Sequence, residues 1–257
     1  MNVYVCLENP DSWQGDKKDN LGEKVQPQGP VQHRNVGSRE NKFEARKEIA
    51  NLMHDKSKQR DHKNLRSLMK KPDPCGEGVT VQLGASGSLP SMISRLIRYQ
   101  QTLGATIDTI VFVGHGNDNS MSTGSGHFAF STEHAEKVVS YKKREISMSN
   151  VDKWRPTFQA LVNQVAPADD GNGFINIFLL GCNTGSGGLL AKVAETLYGV
   201  FDEPVCVYGF DAESCWDDTK HVLQNIEKIT KDCEPHKQAT GKYTVSDVNL
   251  KFAAYQG

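Results

Sequence analysis

The sequence predicts an α/β protein with a mostly parallel central sheet and helices on both faces. Three observations carry this. Short runs rich in Val, Ile and Phe recur between stretches with helical spacing, the alternation that α/β domains require. Two of those runs, 107–113 and 174–180, are predominantly apolar rather than strictly alternating, as strands buried on both faces of a parallel sheet are. Each closes in glycine beside a reactive side chain: Gly114-His115-Gly116 after the first, and Gly181-Cys182-Asn183-Thr184-Gly185 after the second.

The elements follow in chain order. Residues 3–7 form a short strand, ended by the turn residues Asn9-Pro10-Asp11. From there to about residue 37 the chain is polar, without an apolar period, and reads as a long loop with room for disorder. Ser38 caps a helix to about residue 54, with Phe43, Ile49, Ala50 and Met53 on one face, and a second helical piece at 64–70 stops at Pro72-Asp73-Pro74. Half of the thirty Lys and Arg precede residue 75. Acids are mixed among them, so this polar segment (about 9–75) reads as a solvated helical surface or as a site for an anionic small-molecule activator. A strand at 79–83 and the turn Gly84-Ala85-Ser86-Gly87-Ser88 lead into a helix over 89–103, whose Met92, Ile93, Leu96, Ile97 and Tyr99 form an apolar stripe that Gly104 ends. With the strand at 107–113, this makes a parallel strand–helix–strand unit.

Residues 117–150 are the least regular part of the second half. The Ser/Gly/Asn-rich stretch 117–126 reads as a mobile loop, 127–130 as a short strand, and 132–141 as a helix with a basic end. Trp154, Phe158, Leu161, Val162 and Val165 predict a helix over 152–165, and Asp169-Asp170-Gly171-Asn172-Gly173 turns the chain into the Cys182 strand. A helix over 187–198, a strand over 204–210 and a helix over 219–231 follow, with Asp217 and Asp218 placed to cap the last. The tail alternates at 243–252 as an edge strand or hairpin does, for roughly five strands in all.

At 257 residues the chain can hold one large α/β domain or two small ones, and the expectation is a single domain, 1–257. A net charge of -1 argues against duplex nucleic acid, and the basic first segment lacks interleaved aromatics for single strands. No apolar stretch approaches the roughly eighteen residues of a membrane span, and Met1-Asn2-Val3-Tyr4-Val5 has no basic region ahead of an apolar core. The expectation is a soluble chain of the cytoplasm, with delivery into a host cell by a dedicated secretion machinery left open. The six cysteines form no CxxC pair and have no zinc-like spacing with the eight histidines, so no metal is expected and free thiols are the simplest reading. A Cys215–Cys233 bridge stays open at this level.

A thiol and an imidazole at the ends of neighbouring parallel strands form a nucleophile and base pair, at the sheet edge where ligands of α/β folds bind. Cys182 precedes a helix, whose N-terminus favours an anionic sulfur. The duller reading makes Cys182 a small core residue and His115 a structural histidine, and the paired Gly-flanked strand ends outweigh it. His127 and His134 are rival bases, but neither ends a buried strand. Other chemistries lack their residues: a phosphatase-type loop needs Arg where Gly188 stands, the Gly-rich run after Gly181 has no Lys-Ser/Thr ending for a phosphate cofactor, and no Gly-x-Ser-x-Gly elbow follows a strand.

The order strand, Gly114-His115-Gly116, helix, strand, Gly181-Cys182 resembles the caspase-like cysteine peptidases, the clan of caspases, metacaspases, clostripain, separase, CHAT proteases and self-cleaving toxin domains. The resemblance implies a caspase-like sandwich, a protein or peptide substrate, and a dyad of Cys182 as nucleophile and His115 as acid and base. It also implies an oxyanion hole made by the Gly116 and Cys182 amides, and no cofactor. The segment from Asp211 to Thr219 looks like the one whose acid lines the specificity pocket in metacaspases and CHAT proteases, so Asp217 or Asp211 would favour cleavage after Lys or Arg. Arg34, placed after the first strand's loop like the pocket arginine of true caspases, would favour an acidic residue instead. Two alternatives stand beside the enzyme: a catalytically silent module of this fold, and an effector domain that cuts itself when a polyanion binds. Oligomeric state is open.

Overall fold

A computed structural model describes residues 1–8, 75, 79–86, 89–122, 145–169 and 171–257. Arg34, His127, His134 and the helices expected at 38–54, 64–70 and 132–141, with the strand at 127–130, lie outside the described residues. The described chain builds an α/β fold around a seven-stranded mixed sheet in the order β2-β1-β3-β6-β7-β9-β8. Its strands are β1 (Asn2–Glu8), β2 (Thr80–Ser86), β3 (Thr109–Val113), β6 (Ile175–Leu180), β7 (Val205–Phe210), β8 (Thr240–Val245) and β9 (Val248–Tyr255). From β2 to β7 every pairing is parallel, and the β8–β9 hairpin closes the far side in antiparallel fashion.

Period-two alternation along these strands sorts the core into two apolar layers. On one face Tyr4, Cys6, Ile110, Phe112, Ile177, Leu179 and Val207 meet helices α1 (Leu89–Leu103), α2 (Arg155–Gln159) and α3 (Leu189–Phe201). On the other, Val5, Leu7, Val111, Val113, Phe178, Leu180 and Tyr208 meet α4 (Trp216–Gln224) and α5 (Ile226–Asp232). Both faces are therefore covered, which is why β3, β6 and β7 are buried at every position. Phe178 and Tyr208 stack across neighbouring strands with centroids 4.4 Å apart. Helix α1 has the expected bounds and ends at Gly104, whose φ of 67° and amide bond to the Gln100 carbonyl make a left-handed terminus.

Several expectations need correction. The helix expected over 152–165 is a 3-10 turn at Val151–Trp154, the short α2, and then turns with Leu161 and Gln164 bonding three residues back. Spacings of three and then four residues keep Phe158, Leu161 and Val165 on the core just as a continuous helix would. The single helix expected over 219–231 starts earlier, at Trp216, and breaks at Asn225, whose side chain donates to the His221 carbonyl. The mobile loop expected over 117–126 contains β4 (Ser120–Ser122), paired antiparallel with β5 (Glu145–Ser147). The sheet has seven strands rather than five, and β2 runs on through Ser86. All six cysteines are free, so no Cys215–Cys233 bridge forms. Among the described residues no helix is long and apolar enough to cross a membrane, and no cluster of His, Cys, Asp or Glu is suited to a metal ion.

Candidate active site

Strands β3 and β6 are adjacent and parallel, with Val113 opposite Leu180. The next residues of each chain therefore leave the same edge side by side. Gly114 N–H donates to the Leu180 carbonyl at 3.3 Å, extending the ladder one step past the strands. Beyond it the two backbones touch: a Cβ on Gly181 would sit 2.9 Å from both Cα and N of Gly116, and 3.0 Å from the Gly114 carbonyl oxygen. His115 lies between the two glycines of one segment and Cys182 follows the glycine of the other, and both are partly exposed. The topology thus brings His115 and Cys182 to one rim, with glycine where no side chain fits.

The Cys182 turn is tied to the segment that leaves β7. Asn183 takes a left-handed conformation, φ 59°, which asparagine tolerates better than most residues, and its N–H donates to the Ala212 carbonyl at 2.9 Å. Gly185 N–H donates to the Phe210 carbonyl at 2.8 Å, and the Ser186 hydroxyl to the Asp211 carbonyl at 3.0 Å. The Cys182 thiol donates to the Ser214 carbonyl at 3.4 Å, and the Ser214 hydroxyl donates to the sulfur at 3.7 Å. The sulfur's proton therefore points at Ser214 in this conformation. On the other side, the His115 carbonyl accepts from Ser122 N–H at 2.8 Å, and the Asn117 side-chain oxygen accepts from the amides of Asn119 and Ser120. These bonds fasten the His115 loop to the β4–β5 ribbon. A Cβ on Gly187 would collide with the Asp118 carbonyl, so the two loops also meet further out.

The amides of Gly116 and Cys182 donate to no acceptor among the described residues. Main-chain donors left open beside a thiol are what a developing oxyanion needs.

The acids singled out for substrate choice are already engaged. Asp211, at the end of β7, holds Lys251 at 2.5 Å and Lys242 at 2.9 Å. The hydrogen bond from Lys251 first, with that from Lys242 added, holds its carboxyl below the ordinary range. Asp217 is exposed in the first turn of α4 and pairs with Lys220 at 2.7 Å, while Asp218 accepts the Cys215 N–H at 2.6 Å. The expected capping by this acidic pair is met by Asp218, with the helix starting at Trp216. Three residues escaped the sequence reading: Ser214, Gly209 and Thr184. Gly209 carried a signal, because a glycine inside an apolar strand marks a close approach of another segment. Here that segment is the Thr184 side chain. No protein-family model matches this chain, and no curated protein does.

Proposed function

We propose that this protein is a cysteine endopeptidase with a caspase-like arrangement of its sheet and site. The observation that carries the reading is the in-register pairing of β3 with β6, which sets Gly114-His115-Gly116 against Gly181-Cys182 with open amides at Gly116 and Cys182. In the proposed cycle the Cys182 proton passes to His115, and the thiolate attacks the scissile carbonyl. The oxygen that gains charge is held by the Gly116 and Cys182 N–H groups. His115 then protonates the departing amine, leaving an acyl-enzyme, and draws a proton from water to release the acid. Reaching this state requires the thiol to leave the Ser214 carbonyl, a tightening that substrate binding supplies in many apo sites.

A basic residue before the cut is the preference that local charge supports. The described segments 114–119, 181–188 and 211–218, the last running into the first turn of α4, carry Asp118, Asp211, Glu213, Asp217 and Asp218 and no Lys or Arg. Lysines from elsewhere offset Asp211 and Asp217, which leaves the rim acidic. A fluorogenic peptide panel with basic and acidic residues at that position tests both layers, run beside Cys182→Ala. Hydrolysis after Lys or Arg that vanishes in the variant, with peptidyl acyloxymethyl ketone labelling at Cys182, is the expected result. No hydrolysis of any peptide and no labelling would overturn the enzyme and favour the silent module. Activity only after Asp or Glu would overturn the basic preference alone.

A further inference from the structure

One buried side chain touches both halves of the site. Thr184 has no exposed surface, and its hydroxyl lies 2.6 Å from the Leu179 carbonyl oxygen and 2.9 Å from that of Gly181, the residue before Cys182. Its γ-methyl faces the opposite way: a Cβ on Gly116 would come within 2.7 Å of it. On the third side, a Cβ on Gly209 of β7 would come within 2.6 Å of the hydroxyl. The threonine is thus a peg standing between Gly116, in the loop after β3, and Gly209 of β7, and those glycines lack side chains where it stands.

We propose that Thr184 is a positioning residue: its hydroxyl, with one proton shared between the Leu179 and Gly181 carbonyls, ties the turn to the end of β6, and its methyl props Gly116 at the distance that lets the Gly116 and Cys182 amides share one oxyanion. The inference rests on the peptidase reading and names the group that tunes it. The two ends of the side chain separate the roles. Deleting the methyl in Thr184→Ser keeps both carbonyl contacts available, so the turn stays anchored while Gly116 loses its stop. Reaction at the sulfur alone does not use that amide.

Three variants test this on the full chain: Thr184→Ser, Gly116→Ala and the double variant. Thr184→Ser is expected to lower kcat roughly tenfold or more with KM within about twofold, because sub-ångström misplacement of a catalytic donor is expensive. Iodoacetamide alkylation read at the Cys182 peptide, which needs no oxyanion donor, is expected to stay within about twofold of wild type. A purely structural role would instead move alkylation, hydrolysis and melting together. A Cβ in Gly116→Ala meets the Thr184 methyl at 2.7 Å and Gly181 main chain at 3.0 Å, and removing that methyl relieves the closest of these overlaps. The double variant is therefore expected to hydrolyse peptide at least as fast as Gly116→Ala alone, not with the product of the two losses. Wild-type kcat in Thr184→Ser, or multiplicative losses in the double variant, would overturn the assignment while leaving the peptidase in place. A wild-type protein that neither cleaves nor labels would overturn the peptidase itself and this inference with it.

Discussion

Adding one methyl at Gly181 should damage both the fold and the chemistry, and the structure sets the scale. Ordinary van der Waals contact begins near 3.4 Å, whereas the Ala Cβ would sit 2.9 Å from Cα and N of Gly116 and 3.0 Å from the Gly114 oxygen. Every atom it meets belongs to main chain, so no rotamer change relieves the overlap. The two loops must part by about half an ångström, an overpacking strain of roughly 1–3 kcal/mol. The same displacement moves the Gly116 amide away from Cys182, for which a loss of about 10- to 100-fold in kcat/KM is expected. A hundredfold loss corresponds to about 2.7 kcal/mol in barrier height. Urea midpoints and fluorogenic peptide kinetics on Gly181→Ala measure the two quantities. Gly188→Ala is the packing control: its Cβ would meet only the Met148 side chain at an ordinary 3.4 Å, and the change of N-cap residue on α3 should cost about 1 kcal/mol or less, with kcat/KM unchanged. If Gly181→Ala matches wild type in both assays, or Gly188→Ala is hurt as badly, the contact between the strands' continuations does not set the geometry.

Further predictions follow from charge and burial. Asp211→Asn should cost about 1 kcal/mol at neutral pH, with the loss shrinking in salt, because Lys242 is 71% exposed and its share is screened. Since the Asp211 carboxyl titrates lower folded than unfolded, its contribution is full above the unfolded value and is lost as pH falls through the folded one; the Asn variant should show a shallower acid limb in urea midpoints. On the folded protein near about pH 8, iodoacetamide should modify exposed Cys215 and partly exposed Cys182, and spare Cys6, Cys206 and Cys233. Burial pushes the Cys233 thiol up to about 11 and raises those of Cys6 and Cys206 well above the ordinary range, so mass mapping that finds Cys206 labelled as fast as Cys215 would contradict the packing. Tyr208→Phe removes a buried hydroxyl that donates to Asn176 and accepts from Asn172, and a loss of roughly 1–3 kcal/mol in chemical denaturation is expected.

How far the sequence foretold this arrangement depends on which interactions fix each element. Strands β1, β3, β6 and β7 and helix α1 are set by local apolar pattern and by glycine stops, so their positions were legible from residues alone. The segment 152–165 was misread because 3-10 turns and α-helix bury the same Phe158, Leu161 and Val165, and a hydrophobic stripe cannot tell them apart. The break at Asn225 depends on a side chain turning back on the His221 carbonyl, which no periodicity encodes. At the site, Cys182 and His115 were legible as ends of buried strands, but their adjacency depends on strand order, a property of crossovers and not of either strand. Asp211 showed its charge in the sequence and hid its partners, since Lys242 and Lys251 arrive from a hairpin thirty or more residues on. Thr184 was invisible for the same reason: both glycines that flank its side chain are remote in sequence.

The convergence of Gly116, Gly181 and Gly209 on one threonine has a consequence for how this molecule tolerates change. A gap set by main-chain atoms and by one β-branched side chain has little torsional slack, so thermal hopping of side chains in either apolar layer should leave its width nearly unaltered. Substitutions that loosen those layers should therefore lower the melting point well before they blunt turnover. The proposed reacting edge would then keep its own gauge, set by local contacts rather than by the bulk of the interior behind it.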